Sequence, residues 1–516
     1  MKRLASLLAL LALLIFMPAI AQAEPADIDA ATRGVVRVVI IGADGDQVYP
    51  LSHGTGFAVA PDKIVTNAHV VSEAAMDDSL RIGIVPSEGN DPSFARLLAF
   101  NPRNDLALLQ ITGSLRLPAL ALAGGVERGN GEVTAIGYPA NVDRAQGLRI
   151  ADLLRSQPPV ESRGFLSGQR PSRDFDTLLH TAPIARGNSG GPLVDGCGRV
   201  VGVNSFGSDS GGADAEFYFA VSNRELLPFL RKSDVKPVVN GMPCRSLAEL
   251  DNLERARLNE ERASTLAREQ AATRARAEKQ AEAERNAELA VMEQRENFMA
   301  IAGVLIVVAL GAGLFAWQAK QRDDGQKKAI TGGIIAGLAL IGALVFWFNR
   351  PGMDEIDQYV ADAMNDAADT SGNKKADPTV PLEGRFLCSI DTSRSRITGN
   401  SPQDLSFEWT ADGCVNQRTQ YGFDKGAWSR IFVPNQEDAI SINTYDPQKR
   451  EFRTDRYLLG RDAMTEARTE RSRYNPPECG AGQQAAQSLG SSQAIVSGLL
   501  PDQPNERLIY TCRPAK

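Results

Sequence analysis

The sequence predicts a multidomain chain: an all-β double barrel, a long α-helical spacer, a transmembrane helical hairpin and a small β-rich, disulfide-containing C-terminal domain. Three observations carry this reading. Residues 28–245 hold many short runs of β-branched residues broken by turn signals. Residues 246–296 are rich in Ala, Glu and Arg and contain neither Pro nor Gly. Residues 298–317 and 329–348 are apolar runs of 20 residues without a charge, close to the roughly 20 needed to cross ~30 Å of hydrocarbon.

The strands follow in order. Residues 34–41 (GVVRVVII) form a β-branched apolar run. Residues 54–60 and 63–66 read as a hairpin about the turn Pro61-Asp62. Residues 106–111 and 132–136 are further strands, and 199–204 and 217–221 complete the second barrel. Ser222-Asn223 then caps a short helix reaching about Arg231.

Three segments of the β region carry chemistry. Ser189 lies in Gly187-Asn188-Ser189-Gly190-Gly191-Pro192, His69 in Thr66-Asn67-Ala68-His69, and Asp105 in Asn104-Asp105-Leu106. A serine hydroxyl is a poor nucleophile until a base takes its proton, a carboxylate orients that base and backbone N–H groups await the oxyanion. Glycines beside the serine let the backbone turn tightly enough to aim two N–H groups at one spot.

At these residues the chain resembles the trypsin-like serine proteases of chymotrypsin fold, whose triad runs His, Asp, Ser along the chain. The likeness is to the bacterial HtrA/Deg type and covers about residues 28–232. It implies catalytic roles for Ser189 as nucleophile, His69 as general base and then acid, and Asp105 as orienter of the imidazole. The N–H groups of Gly187 and Ser189 would form the oxyanion hole. Ser205, Phe206 and Gly207 would bind substrate backbone by strand addition. Pro183 stands where Arg/Lys-specific relatives carry Asp, so with Phe206 it implies an apolar S1 pocket. Asn188 replaces the aspartate that pairs with a freshly cut N-terminus in zymogen-activated relatives, so loop ordering is the expected control. HtrA-type relatives usually carry PDZ domains after the protease, and none is recognised here.

The other histidines carry blander readings. His53 reads as a surface or hydrogen-bonded residue, and His180 as a structural histidine with a pocket role as the alternative. No HExxH-type cluster is present, so neither a metal nor a cofactor is expected.

Residues 1–23 pair Lys2-Arg3 with a leucine-rich run and end Ala21-Gln22-Ala23, which reads as a signal peptide cleaved after Ala23. Residues 318–328 carry four basic residues between the two apolar runs, which places this loop in the cytoplasm. The β region and residues 382–516 then both lie on the exported side of a bacterial inner membrane. Gly333 and Gly337 form a GxxxG step expected to pack the two spans together. All six cysteines fall in the exported parts, which suits disulfides. Cys197 and Cys244 are the only two before the first span, so they are expected to pair. The other four, Cys388, Cys414, Cys479 and Cys512, allow three pairings. A formal charge of −7 gives no sign of nucleic-acid binding.

The 246–297 segment is expected as one helix of about 75 Å at 1.5 Å per residue. Its leucines keep no clean heptad, leaving a coiled coil that would support a homo-oligomer and a single charged spacer both open. A short helix over 353–364 and a polar linker to residue 381 precede the C-terminal domain, where Trp409 and Trp428 are the expected core anchors. The expected function is a membrane-anchored envelope serine endopeptidase acting on polypeptides in quality control or regulated proteolysis. The alternatives are a peptide-binding adaptor on a protease fold and a processing protease with one substrate.

Overall fold

The computed structural model describes residues 25–515 apart from 45–46, 90–91, 126–130, 172–174, 209–215, 322–325, 353–355 and 362–381. The expected signal peptide and polar linker therefore lie outside the described residues. Six strands close the first barrel: β1 (Val35–Asp44), β2 (Gln47–Ala60), β3 (Lys63–Thr66), β4 (Arg81–Pro86), β5 (Ser93–Asn101) and β6 (Leu106–Ile111), in the order β1-β2-β3-β6-β5-β4. The hairpin about Pro61-Asp62 is present, with Phe57 opposite Val65.

The second barrel follows β7 (Leu122–Ala123) and uses β8 (Glu132–Gly137), β9 (Val160–Pro171), β10 (Asp176–His180), β11 (Pro192–Asp195), β12 (Val200–Gly207) and β13 (Tyr218–Ser222). Its order is β11-β8-β9-β10-β13-β12, and pairing of β11 with β12 closes it. β7 and β14 (Val239–Asn240) extend the β12 edge in parallel. One core runs through both barrels. Val35, Phe57, Leu106 and Leu108 of the first meet Ile136, Tyr138, Val194 and Val203 of the second. Helix α1 (Pro25–Thr32) adds Ile28 to this core, and the helix Asn223–Lys232 adds Leu226 and Leu230. That second helix is capped as the sequence predicts: Ser222 Oγ accepts from Arg224 N. Burying these alternate positions supplies the stability that short strands lack in isolation.

Cys197 is bonded to Cys244, across a sequence separation of 47. Residues 384–514 form one nine-stranded sheet: β15 (Gly384–Ile390), β16 (Leu405–Trp409), β17 (Cys414–Val415), β18 (Thr419–Gln420), β19 (Gly422–Asp424), β20 (Ala427–Phe432), β21 (Ala439–Asp446), β22 (Glu451–Leu458) and β23 (Glu506–Pro514). Helices Arg461–Ser472 and Gln483–Ser497 pack on it through Met464, Ala467 and Val496. Trp409 is buried at the centre of an aromatic cluster with Tyr445, Tyr421 and Trp428. Of the three open pairings, the structure has Cys388–Cys512, directly opposite across β15 and β23, and Cys414–Cys479.

Among the described residues the chain divides into two compact units, Met1–Glu254 with Pro381–Lys516, and Arg255–Val380. The C-terminal sheet, read from the sequence as a separate domain, is thus part of one unit with the barrels. The reason is a set of buried polar contacts. Arg396 pairs with Asp27 of α1, both almost fully buried. Asn505 donates to Asp27 Oδ1 at 2.9 Å and to the Ala26 carbonyl at 3.0 Å. Arg396 Nε also donates to the Arg245 carbonyl at 2.8 Å.

The expected spacer and first span join in one helix, Leu247–Lys320 of 74 residues, and a second helix covers Gln326–Phe348. Residues 356–361 are helical, and the rest of the expected 353–364 helix lies outside the described residues. The GxxxG expectation needs correction. Gly333 and Gly337 have open space where a Cβ would stand, whereas a Cβ on Gly332 would lie 3.1 Å from Ala316 Cβ. Gly332 faces Ala312 and Ala316, Gly342 faces Leu305, and Ala339 and Ala343 of the second helix and Ala302 and Ala309 of the first are buried. This face is one residue out of step with the motif, because small residues crowd this run and helix rotation selects among them.

Candidate active site

The three candidate catalytic residues come from three loops at the junction of the barrels. His69 opens a one-turn 3₁₀ helix, His69–Val71, directly after β3. Asp105 sits in the β5–β6 turn with φ +50°, a left-handed conformation that aspartate tolerates better than most residues. Buried Asn67 holds that turn by donating to the Asp105 carbonyl at 2.8 Å. Ser189 lies in the β10–β11 turn, between Gly187 at φ +100° and Gly190 at φ +86°. A Cβ on Gly190 would stand 2.2 Å from the Thr55 carbonyl, so only glycine fits.

The His–Asp half is fully assembled. His69 Nδ1 lies 3.0 Å from both Asp105 carboxylate oxygens, and His69 N donates to Oδ1 at 3.1 Å. The carboxylate is mostly buried and the imidazole half-exposed, so one ring edge faces solvent. Ser205, at the end of β12, donates its hydroxyl to Asp105 Oδ2 at 2.6 Å. Ser189 Oγ donates to the Ser205 carbonyl at 2.9 Å. Among the described residues no hydrogen bond joins Ser189 to His69, so the nucleophile rests on the strand edge.

The N–H groups of Gly187 and Ser189 have no acceptor among the described residues. The N–H groups that alternate with and follow them are engaged: Asn188 N donates to Ala185 O, Gly190 N to Asn204 O, and Gly191 N to Asn188 O. Two unpartnered donors on either side of the bonded Asn188 suit a developing oxyanion.

Of the candidate substrate-binding residues, Ser205 is buried and Phe206 and Gly207 are exposed. Pairing of β11 with β12 stops at Pro192 and Val203, so 205–207 overhang as an edge free on that side. Phe206 is 46% exposed and stacks on Phe219 with centroids 4.8 Å apart. Pro183 is exposed near the serine turn.

Sequence reasoning missed the residues behind the serine loop. Of the two readings of His53, the structure has the hydrogen-bonded one. Its mostly buried ring places Nε2 3.3 Å from the Tyr138 carbonyl and 3.4 Å from Asp143 Oδ2. Burial, and then the neighbouring Arg37, push its pKa below the usual histidine value. Asp143 is bonded in turn to Arg37 at 2.9 Å. His180 is fully buried beside Tyr218, and burial lowers its pKa to about 4. It takes the structural reading. Among the described residues no group of three metal-ligating side chains exists.

Comparison with known proteins adds to this geometry. Residues 54–203 match the trypsin-like peptidase domain family. The chain is 33% identical over 214 residues to the mitochondrial serine protease HTRA2 of Bos taurus, covering 40% of this chain and 43% of that protein. It is 30% identical over 227 residues to the serine protease Rv3671c of Mycobacterium tuberculosis, covering 43% and 50%. The match thus spans half or less of each relative's length. The crystal structure of the Rv3671c protease in its active form aligns with 44% of this chain and 95% of that one, at 25% identity and a TM-score of 0.32.

Proposed function

We propose, from the premise that residues 54–203 form a trypsin-like peptidase domain homologous to the HtrA-type serine proteases, that the chain is a membrane-anchored serine endopeptidase. The observation that supports this is the His69–Asp105 pair linked through Ser205 to Ser189, whose turn holds two backbone N–H groups without acceptors. Ser189 attacks the scissile carbonyl as His69 Nε2 takes its proton. Asp105 fixes the Nδ1–H tautomer and steadies the imidazolium, and His69 then protonates the leaving amine. Gly187 N and Ser189 N hold the oxyanion.

The resting hydrogen bond suggests how substrate engages the serine. A polypeptide added to the free 205–207 edge donates an N–H to the Ser205 carbonyl, the acceptor that Ser189 Oγ now uses. Losing that acceptor turns the hydroxyl toward His69. Phe206 and Pro183 supply apolar surface at the cleft, which favours Val, Ala, Ile or Leu before the scissile bond over Arg or Lys.

Two helices, within 247–320 and over 327–348, are long and apolar enough to cross a membrane. Residues 298–317 and 329–348 are the spans, the basic loop faces the cytoplasm, and the catalytic unit lies on the exported, periplasmic side, with misfolded or regulatory envelope proteins as substrates. The three disulfides suit that compartment.

A fluorophosphonate probe labels the wild type and not Ser189→Ala. Asp105→Asn keeps the fold and loses most of kcat, by about 10⁴-fold in the best-studied triad. Equal labelling of wild type and Ser189→Ala would leave the chain as a peptide-binding adaptor. Cleavage of one envelope protein with no cleavage of casein would favour a dedicated processing protease.

A further inference from the structure

The N–H of Gly187, assigned above to the oxyanion, takes its direction from residues 138–140. A peptide group is planar and trans, so its C=O and N–H point opposite ways. The carbonyl of Arg186 belongs to the same peptide as Gly187 N, and Ala140 N donates to it at 2.8 Å. While that bond holds, Gly187 N–H points away from the 138–140 segment. The next peptide is fixed as well: Thr55 Oγ1 donates to the Gly187 carbonyl at 2.6 Å and accepts from Tyr138 N at 3.0 Å.

The 138–140 segment is itself held from behind. His53 Nε2 lies 3.3 Å from the Tyr138 carbonyl. It also lies 3.4 Å from Asp143 Oδ2, a buried oxygen with no hydrogen bond of its own. Asp143 sits in the short helix Ala140–Ala145 and pairs with Arg37 of β1, whose guanidinium lies 4.6 Å from the centre of the Tyr138 ring. A Cβ on Gly187 would stand 2.2 Å from the Tyr138 carbonyl and 3.1 Å from His53 Nε2, so the brace and the oxyanion turn are in direct contact.

We propose that His53, with Asp143 and Arg37, is a positioning residue: it braces residues 138–140 so that Ala140 N–H holds the Arg186 carbonyl and keeps Gly187 N–H aimed at the oxyanion. This rests on the reading of Ser189 as nucleophile.

The decisive variant is Ala140→Pro in the detergent-solubilised full chain. Position 140 is the first residue of a helix, where proline is tolerated. Pro139 is already extended at ψ 122°, as a residue before proline must be. The substitution therefore deletes the one N–H on the Arg186 carbonyl and leaves the helix intact. Expected is a fall in kcat of roughly 10²-fold, the loss typical of one missing oxyanion donor, with KM unchanged. Affinity for a peptidyl boronate, whose adduct places an oxygen in the hole, falls in parallel. His53→Leu moves kcat and boronate affinity the same way, and His53→Gln, which keeps an N–H there, recovers part of both. Thermal melts identify any variant that fails to fold, and the His53 pair decides if Ala140→Pro does.

Unchanged kcat and boronate affinity in Ala140→Pro and His53→Leu would overturn the inference. So would losses in KM and melting temperature without a change in boronate affinity. A crystal structure of Ala140→Pro with Gly187 N–H still aimed into the cleft would also overturn it, independently of activity. If instead wild-type cleavage survives Ser189→Ala, it is the proposed function that fails.

Discussion

Replacing Cys197 and Cys244 together by alanine should destabilise the barrel unit by about 4 kcal/mol. The bond closes a loop with a sequence separation of 47. In the chain-entropy model a loop of that length loses ~13.6 cal/mol/K in the unfolded state, or about 4 kcal/mol at 25 °C. The folded side changes little, because other contacts hold the same junction. Arg199, buried and paired with Asp195, donates to the Met242 carbonyl, and Asn240 donates to the Ile397 carbonyl. The assay is urea unfolding of the full chain in detergent, followed by tryptophan fluorescence, with the other two disulfides intact. With a slope of about 3 kcal/mol/M the midpoint falls by roughly 1.3 M. Cys244→Ala alone should give nearly the whole loss, since the link and not the second side chain carries the effect. A loss below about 1 kcal/mol in the double variant would refute the reasoning.

Asp27→Ala removes the carboxylate paired with the buried Arg396 guanidinium, which costs about 3–5 kcal/mol. Asp27→Leu combined with Arg396→Met should recover most of it, and a urea series on the three proteins checks this. His180 has a folded pKa of about 4, below its unfolded value of 6.5. Its neutral form is favoured by folding, so its contribution is present above pH 6.5 and is lost as pH falls from 6.5 toward 4. Urea midpoints at several pH values should fall less steeply over that window in His180→Phe, while His53, also depressed, keeps a share of the slope. In the helical hairpin, Gly332→Leu should abolish cross-linking between cysteines placed at Leu305 and Gly342, and Gly333→Leu should leave it intact. Equal effects of the two would refute the packing face.

The parts legible in the sequence are those whose signal is local. Strand alternation around 54–60 and 63–66, the Ser222 cap and the uncharged runs each lie within a few residues, and each element stands where its pattern puts it. Ser189, His69 and Asp105 stand out as candidates for the same reason, since each lies in its own short motif. The Cys197–Cys244 pair followed from counting cysteines on one side of two apolar runs. Tertiary structure alone decided what depends on residues meeting from far apart. Ser205 reaches Asp105 across 100 positions, and Arg396 reaches Asp27 across 369. Neither arginine nor aspartate carries any local mark of a buried partner, because its burial is created by the fold that joins them. The helix face at Gly332 belongs here too: in a run where every side is apolar, periodicity selects no face, and close packing against the first helix selects one. His53 shows the limit most plainly, for its surroundings in the sequence are polar and only closure of the two barrels turns it inward, behind the loop that carries Gly187.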